Sequence, residues 1–474
     1  MRPPMSASPS SPKPHVLVLG AGVCGLYAAR VLLAAGADVT VLEKDVVPGG
    51  LAMGRKRGAN FYDLGVHMLH EHDPEIFEDM KMILGDERIE VPLDAKIKWM
   101  GEYYRYPLQF QDMVRHMSLF KLAYYGSALV WSQIHYKLFP REPRDAEEAL
   151  IQLYGHPLYA FFFKEFTHRY WGIPASSLSA GFIKTKMPRL SAVDILKKGL
   201  ARLGIKEKKG MAVESALLDE TLHYSRTGAE TLPRRLAGYV ADLGGTILLG
   251  HTVARVGWEG KRVSSVTARK ADGTEVTVPC DYCLNTIPVT EFARAFTPAP
   301  PAEVLAAAGT LRYKAIAVYG VLVRRERCLD ANYIYYRRRL FHRVGEPRNG
   351  GLAVEPPGHT VLIVEMTCDV GDPKWNGEPE AWNQIVEDLE AEHICRRDEI
   401  VEHHVLTHET GYPIFDLGFE PHFEKIRGFL DGLHDVQTIG RQGGFCYPNM
   451  HSAMRMGATA ARKALAELGV GQQA

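Results

Sequence analysis

The feature that most limits the fold of this 474-residue chain is a short apolar run that ends in glycine and opens a helix. The run His15–Gly20 is typical of a buried strand, and the residues from Val23 to Ala35 have helical spacing. A second apolar run, Asp38–Leu42, ends at Glu43. The order strand, helix, strand predicts a βαβ unit, and therefore a fold of the α/β class.

Glycines 20, 22 and 25 have the spacing of a dinucleotide-binding turn. The first permits a tight turn, the second lets a pyrophosphate approach the backbone, and the third lets helix and strand pack closely. Glu43 stands where a carboxylate accepts hydrogen bonds from ribose hydroxyls. The alternative is a glycine turn that merely connects a strand and a helix. The spacing does not separate NAD from FAD, but Gly49–Gly50 is similar to a second turn in flavoproteins of the amine-oxidase type and favours FAD.

Composition argues against several classes of partner and chemistry. Lys+Arg and Asp+Glu both number 56, so the total charge indicates neither a nucleic-acid partner nor an anionic membrane surface. Seven cysteines, including one CxxC at Cys280 and Cys283, fit a reducing compartment. The first 14 residues are rich in Pro and Ser without an apolar core, which predicts a disordered tail and a cytoplasmic protein. No motif for a metal site or a serine nucleophile is present.

The longest apolar stretch, Leu122–Trp131, lies between Lys121 and the polar residues that begin at Gln133. It is too short to span a bilayer, so we expect no stable membrane span. Its aromatic residues fit a helix that touches a membrane or a buried helix of a substrate domain, and the spacing favours the buried helix.

Helical and β-rich segments lie between pieces of α/β sequence. We therefore expect a Rossmann-type FAD-binding domain that is discontinuous, with an inserted helical unit and an antiparallel β-sheet substrate domain. The predicted parts are a disordered tail at 1–14, the FAD-binding domain at 15–88, 214–297 and 431–470, the helical substrate-covering unit at 107–205, and the β-sheet domain at 89–106 and 298–430.

Five further segments share patterns with one group of proteins. They are Asp63–His70, Gly101–Pro107, Tyr170–Gly172, Gly411–Ile414 and Gly440–His451. Together they resemble UDP-galactopyranose mutase and its flavoprotein relatives, within the superfamily that includes protoporphyrinogen oxidase and amine oxidases. The resemblance runs nearly end to end, and the last segment is similar to a mutase run of the form GRLGxYxYxDMD.

The resemblance implies where a sugar nucleotide binds. The run that begins at Gly440 would cross the edge of the flavin and supply Arg441 and tyrosines to the diphosphate. Arg343 follows a pattern similar to the family's FTRI element, and Lys314 stands where the family's LEYR element has arginine. Lysine offers a point charge where arginine offers a planar fork to phosphate.

The chain departs from the mutase pattern on its sugar-nucleotide side. Asn449 and His451 stand where the mutases carry aspartates, and Phe445 replaces a tyrosine. A further departure is at Met187–Leu190, where the mutase pattern has an arginine after an RLPV element.

The fingerprint and the resemblance together define three sets of predicted site residues, with no metal ligands. No side chain is expected to catalyse alone; the residues that would support chemistry at flavin N5 are His67, Tyr412 and Tyr447. The predicted substrate contacts are Trp171, Lys314, Arg343 and Arg441. The predicted FAD contacts are Gly20, Gly22, Val23, Cys24, Gly25, Glu43, Lys44, Gly49, Gly50, Leu51, His67, Val253, Arg441, Asn449, Met450 and His451.

Without the resemblance, several of these residues have an ordinary structural interpretation. His67 and His70 fit satisfied core histidines as well as a cofactor wall. Arg441 fits a solvated surface arginine as well as an anion contact. The cluster Tyr335–Arg339 fits either a phosphate-binding rim or a charged edge strand.

Three functions remain open at this point. In a mutase-like enzyme, reduced flavin N5 would attack the anomeric carbon of a nucleotide-linked sugar without net redox change. In an oxidase or dehydrogenase, oxidised flavin would take hydride from an amine, a sugar carbon or a hydrophobic substrate. The third is a non-catalytic FAD-bound scaffold. The expected partner is a small molecule, a nucleotide sugar first, without nucleic acid; an oligomer is compatible with the sequence.

Overall fold

The computed structural model describes residues 13–106, 112, 115–181, 183 and 221–470. Most of the predicted tail, the departure at Met187–Leu190, and residues 184–205 and 214–220 of two predicted domains lie outside the described residues. The chain divides into two compact units: the first comprises Met1–Gly50, Leu232–Ala308 and Lys425–Ala474, and the second Leu51–Thr231 and Gly309–Glu424. The domain boundaries expected from the sequence stay a prediction.

The described strands are β1 (His15–Leu19), β2 (Asp38–Leu42), β3 (Gly54–Arg57), β4 (Asn60–Asp63), β5 (Arg88–Pro92), β6 (Ala95–Trp99), β7 (Glu102–Arg105), β8 (Thr221–Ser225), β9 (Thr246–Leu248), β10 (Thr252–Glu259), β11 (Arg262–Arg269), β12 (Glu275–Pro279), β13 (Tyr282–Asn285), β14 (Phe296–Thr297), β15 (Arg312–Val323), β16 (Tyr333–Tyr336), β17 (Arg343–Gly345), β18 (Thr360–Cys368), β19 (Ile400–Ile414) and β20 (Val436–Thr438).

The described α-helices are α1 (Val23–Ala34), α2 (Pro74–Leu84), α3 (Leu119–Leu138), α4 (Ala146–Tyr154), α5 (His156–Leu158), α6 (Lys164–Trp171), α7 (Thr231–Asp242), α8 (Val289–Arg294), α9 (Ala302–Thr310), α10 (Pro373–Asn376), α11 (Pro379–Ala391), α12 (Phe419–Asp431), α13 (Gly440–Gly443) and α14 (Met450–Glu467). A π-helical turn, Tyr159–Phe163, joins α5 to α6.

The first unit contains a five-stranded parallel sheet in the order β20-β13-β1-β2-β9. The predicted βαβ unit is confirmed as β1, α1 and β2. Strand order reverses at β1, which lies between β2 and β13, and in open α/β sheets the ligand crevice forms at such a point. A second sheet contains β10, β11 and β12, and the predicted hairpin at Asp272–Gly273 joins the antiparallel pair β11 and β12.

The second unit contains a seven-stranded sheet in the order β19-β15-β18-β17-β16-β6-β7. Its strands are antiparallel except for the pair β16 and β6. Every residue of β18 is buried, and α11 packs Ile385 and Leu389 into the core that this sheet forms. Because β16 is paired on both sides, by β17 and by β6, Tyr335 and Tyr336 do not lie on an edge strand; Arg337–Arg339 follow β16 and belong to no strand.

Helix α3 begins at Ser118, whose side chain accepts a hydrogen bond from the Lys121 N–H. Among the described residues, one face of this helix is packed: Leu129 is buried, and the Ser132 hydroxyl donates to the Ile151 carbonyl of α4 at 2.8 Å. Trp131 is exposed, so the expectation of a buried helix here is wrong for the opposite face. Within the described part of the chain, no helix is both long and apolar enough to cross a membrane.

A buried carboxylate ends β4. Asp63 accepts hydrogen bonds from the Tyr224 hydroxyl and from the Ala229 N–H at 3.0 Å. Burial raises the pKa of Asp63 to about 6, although both hydrogen bonds oppose the shift. The folded protein therefore holds this proton more tightly than the unfolded chain does.

We expect Asp63→Asn to remove a specific part of the pH dependence of stability. The contribution of Asp63 to stability falls as pH rises from about 4 to about 6, and the ionised group lowers the free energy of unfolding at neutral pH by about 3 kcal/mol. The thermal unfolding midpoint of the variant minus that of the wild type should rise across this window and then level off. Asp242→Asn, at an exposed position, is the control. A constant difference between Asp63→Asn and wild type across the window would contradict the assignment.

Candidate functional site

Two of the fingerprint glycines are required by the packing of the chain itself. Gly20 has a φ of 102°, and a Cβ there would lie 2.4 Å from Thr286 Oγ1. A Cβ at Gly25 would lie 2.1 Å from the Gly20 carbonyl oxygen. The Gly20 N–H donates to the Leu42 carbonyl at 2.7 Å, which ties the turn to β2. The turn therefore tolerates no side chain at either position.

The middle glycine has a different environment. A Cβ built at Gly22 would meet no atom within 4 Å, and its φ of −72° is open to any residue. Gly22 caps α1 without a side-chain hydrogen bond, and the first turn of the helix carries no acidic residue. The N–H groups at this helix end are suited to an anion. The packing of the described chain therefore does not require glycine at position 22, and the predicted pyrophosphate contact there stays a prediction.

Glu43 is held beside the same turn. Its carboxylate accepts hydrogen bonds from the Ala21 N–H at 2.7 Å and the Asp45 N–H at 2.9 Å. Burial raises the pKa of Glu43, and the two N–H groups partly offset this effect. The Glu43 carbonyl also accepts from the His251 N–H at 2.8 Å, so Val253, two residues further in β10, belongs to the same corner of the unit. This geometry fits a carboxylate that binds ribose hydroxyls.

The second glycine turn lies directly against the first. The Gly49 N–H donates to the Ala21 carbonyl at 2.9 Å, and a Cβ at Gly50 would lie 3.3 Å from the Gly22 Cα. Both glycines have positive φ, 136° and 54°. Lys44 precedes this turn in the same loop. Two backbone turns in contact form a surface of N–H groups that suits a diphosphate.

The carboxyl-terminal run packs against the amino-terminal part of α1. A Cβ at Gly440 would lie 3.3 Å from Cys24 Sγ, and one at Gly457 of α14 would lie 2.4 Å from the Cys24 carbonyl oxygen. Glycine at these two positions lets α13 and α14 approach α1. The predicted cofactor contact Cys24 therefore also has a structural role, and burial raises the pKa of its thiol.

Arg441 is positioned by the run that follows it. Its guanidinium lies over the Tyr447 ring, 4.4 Å from the centroid, and its Nη2 donates to the Pro448 carbonyl at 2.9 Å. Asn449 then caps α14, whose first two residues are Met450 and His451. The predicted FAD contacts of this segment thus lie at the amino-terminal end of an 18-residue helix.

A buried carboxylate, Glu365, organises a polar cluster in the second unit. It is 1% exposed, and Arg343 binds its Oε2 through Nη2 and through Nε, the latter at 3.2 Å. Its Oε1 accepts hydrogen bonds from His342 Nε2 at 3.1 Å and from the Tyr412 hydroxyl at 3.2 Å. We call these four residues the Glu365 cluster. Four hydrogen bonds satisfy the carboxylate away from water.

The charges of the Glu365 cluster follow from this geometry. Burial alone would raise the pKa of Glu365, but the Arg343 charge and the hydrogen bond from His342 outweigh it and hold that pKa well below its usual value. Burial lowers the pKa of His342, although Glu365 opposes the shift. At neutral pH the cluster therefore contains a carboxylate, a guanidinium and a neutral imidazole.

Aromatic residues and a second ion pair adjoin the Glu365 cluster. The Trp171 and Tyr412 ring centroids are 6.3 Å apart, and those of Tyr170 and His342 are 4.8 Å apart. Lys314, which is paired with Tyr412 in the register of β15 and β19, binds Asp369 at 2.6 Å. A mostly buried lysine thus has a carboxylate partner.

His67 approaches the same cluster through a glycine turn. A Cβ at Gly65, whose φ is 128°, would lie 3.0 Å from Glu365 Oε2 and 3.4 Å from His67 Cε1. The His70 ring stacks on the His72 ring, with the two centroids 5.1 Å apart. The two histidines that the sequence could not separate therefore differ in position.

The structure gathers the predicted site residues into two groups. The second unit brings together His67, Trp171, Lys314, Arg343 and Tyr412, and it also contains Leu51. The first unit contains the other predicted FAD contacts together with Arg441 and Tyr447. Whether each of these residues binds FAD or substrate stays a prediction.

Sequence reasoning missed Glu365 and His342. The signal for Glu365 was a single carboxylate in the otherwise uncharged strand sequence TVLIVEMTC. A lone acidic residue in a fully buried strand requires partners. It also missed that Arg343 and Lys314 are each paired with a carboxylate, since neither Glu365 nor Asp369 is close in sequence to its cation.

We expect Gly22→Val to abolish FAD binding, because its side chain would fill the space above the helix amino terminus that the pyrophosphate needs. The measurement is the visible absorbance of the flavin that the purified protein retains. Gly238→Val is the matched control, since a Cβ at Gly238 of α7 also meets no atom within 4 Å. Normal flavin content in Gly22→Val would show that the dinucleotide binds elsewhere.

Comparison with known proteins agrees with this geometry. The sequence model of the family described as flavin containing amine oxidoreductase matches residues 23–408. Phytoene dehydrogenase from Streptomyces griseus is 24% identical over 300 residues, which cover 58% of this chain and 54% of that protein. In this match the chain spans about half the length of its curated relative.

Two solved structures share the fold along almost the whole chain. Reduced UDP-galactopyranose mutase superposes with a TM-score of 0.79 at 19% identity, covering 97% of this chain and 98% of that one. A protoporphyrinogen oxidase candidate from Exiguobacterium sp. 255-15 superposes with a TM-score of 0.69 at 16% identity, covering 97% and 99%. The predicted cofactor and superfamily are confirmed, because the family match covers most of the sequence. The chain belongs to the family of flavin-containing amine oxidoreductases and is an FAD-dependent enzyme.

Proposed function

We propose that this enzyme acts on a nucleotide-linked sugar in the manner of a UDP-galactopyranose mutase. The observation that carries the proposal is the Glu365 cluster, a buried group of hydrogen-bonding and charged side chains next to His67. A polar cluster of this kind suits a substrate rich in hydroxyl groups better than a hydrocarbon. FAD, when bound, supplies a ring whose N5 atom is nucleophilic when reduced and accepts hydride when oxidised.

The residues of the second unit would bind and orient the sugar. Glu365 stays ionised and therefore acts as a hydrogen-bond acceptor rather than as a general acid. By holding Arg343 and the Tyr412 hydroxyl, it fixes a hydrogen-bond donor and a hydrogen-bond acceptor in place before substrate arrives. The Arg343 Nη1 also donates to the Tyr335 hydroxyl at 3.3 Å. Donors whose orientation is fixed in advance lose little entropy on binding.

The predicted diphosphate contacts are Arg441 in the first unit and Lys314 in the second. Arg441 has its guanidinium stacked on Tyr447, which restricts its orientation. Arginine in a fixed plane can bind phosphate oxygens in a bidentate manner. Lys314 would add a point charge, although Asp369 neutralises part of it.

A second candidate function is oxidation of a substrate by hydride transfer. The pairing of Arg343 with Glu365 and of Lys314 with Asp369 favours it, because both ion pairs reduce the positive charge offered to a diphosphate. The family description also names oxidoreductases. In this case the Glu365 cluster would orient a substrate that carries a polar group at the carbon to be oxidised, and it would bind no phosphate.

The oxidation state of the active flavin separates the two functions. We expect the dithionite-reduced enzyme to isomerise UDP-galactopyranose and the oxidised enzyme to be inert, because N5 is nucleophilic only in the reduced ring. Chromatography of the sugar nucleotide and the flavin spectrum are the measurements, with Gly22→Val protein as the flavin-free control. Substrate-driven bleaching of oxidised flavin, with a dehydrogenated product and no isomer, would contradict the mutase proposal and support the second function.

A further inference from the structure

One face of α3 carries large apolar side chains that are open to solvent. The exposed fractions are 90% for Phe120, 60% for Tyr124, 70% for Trp131, 49% for Ile134 and 67% for Leu138. We call these five residues the exposed stripe. Single exposed apolar residues are ordinary, whereas several large ones along one face of a helix mark an interaction surface.

The spacing of the exposed stripe places it on a single side of the helix. With about 100° of rotation per residue, the five side chains fall within an arc of about 80°. Leu129 projects from the opposite side and is 3% exposed. Helix α3 is therefore apolar on two faces, and only one of them is packed against the described part of the second unit.

The charged residues of α3 indicate which kind of partner can bind the exposed stripe. Helix α3 contains no Asp or Glu, and its two lysines, Lys121 and Lys137, stand near opposite ends. In helical projection each lies about 100° from the centre of the stripe, one on either side. Long cationic side chains in this position can extend their charge towards an anionic surface while their methylene groups cover apolar area.

A second copy of the chain fits this charge pattern poorly. Parallel pairing of two α3 helices would place Lys121 near its counterpart, and antiparallel pairing would place Lys121 near Lys137 of the other copy. Neither arrangement offers an acidic residue from the helix itself, and like charges across an interface oppose association. An anionic lipid surface supplies the missing negative charge in either orientation.

The chemistry of the side chains points the same way. Tyr and Trp have an apolar body and one polar atom, which suits the boundary between lipid headgroups and acyl chains. Phe120, Ile134 and Leu138 supply purely apolar area. A helix with lysines beside such a row lies in the plane of the membrane interface.

We propose that the exposed stripe docks the enzyme onto an anionic lipid bilayer, with α3 lying parallel to the surface. The interaction is peripheral and reversible. It is independent of which substrate the flavin site uses.

Vesicle co-sedimentation of the full-length, FAD-loaded enzyme tests this proposal. The probes are vesicles of phosphatidylcholine alone and of phosphatidylcholine mixed with phosphatidylglycerol. We expect the wild type to bind the mixed vesicles at least tenfold more tightly than the neutral ones. Phe120→Ser/Trp131→Ser should lose at least tenfold in affinity for mixed vesicles, and so should Lys121→Glu/Lys137→Glu. Val370→Ser, at an apolar residue of the second unit that is 61% exposed, is the matched control and should bind as the wild type does.

A second readout locates the contact. Trp131 fluorescence should shift to shorter wavelength on mixed vesicles, and Trp131→Phe should retain binding but lose that shift. Flavin content of each variant reports correct folding. The proposal is overturned if the wild-type enzyme binds neither kind of vesicle, or if Phe120→Ser/Trp131→Ser binds the mixed vesicles as tightly as the wild type does. It is also overturned if light scattering finds a wild-type dimer that the serine substitutions convert to monomer, because a second copy would then cover the stripe.

Discussion

The close approach of α1 to the end of β1 is the contact on which the first unit depends. A side chain at Gly25 would collide with the Gly20 carbonyl, so the helix can begin at this distance only because position 25 is glycine. This contact aims the amino terminus of α1 and sets the place of Ala21, whose N–H binds Glu43. Helix α14 then packs against the same turn through Gly457. A single backbone approach thus positions the phosphate, ribose and carboxyl-terminal parts of the predicted FAD site.

In the second unit, a buried ion pair has the corresponding role. A pair such as Arg343 and Glu365 contributes little net stability, because desolvation opposes the attraction of the charges. It does define geometry, since Glu365 also receives hydrogen bonds from His342 and Tyr412. These groups come from strands β17, β18 and β19 and from the residue before β17. The sheet therefore collects, from distant parts of the sequence, a cluster that no short motif contains.

The first unit depends on a local motif and the second on residues that are distant in sequence, and this difference explains which features could be predicted from the sequence. The glycine turn and its βαβ unit were predictable, because their requirements are local and only glycine meets them. The partner of Arg343 was not, because it is defined by the register of β17 with β18. The edge-strand interpretation failed for Tyr335 and Tyr336 because β6, the second neighbour of β16, comes from much earlier in the chain. The exposure of Trp131 was also hidden, because α3 is apolar on both faces and periodicity alone cannot say which face is packed.

We propose that the Glu365 cluster receives the substrate while the glycine turns hold FAD. This is tested by steady-state turnover of UDP-galactopyranose with dithionite-reduced Glu365→Gln enzyme that retains flavin, beside the milder Tyr412→Phe and the reduced wild type. We expect normal flavin content with kcat/KM reduced at least a hundredfold in the first variant, equal to about 2.7 kcal/mol, and less in the second. Wild-type kcat/KM in flavin-loaded Glu365→Gln would contradict the proposal.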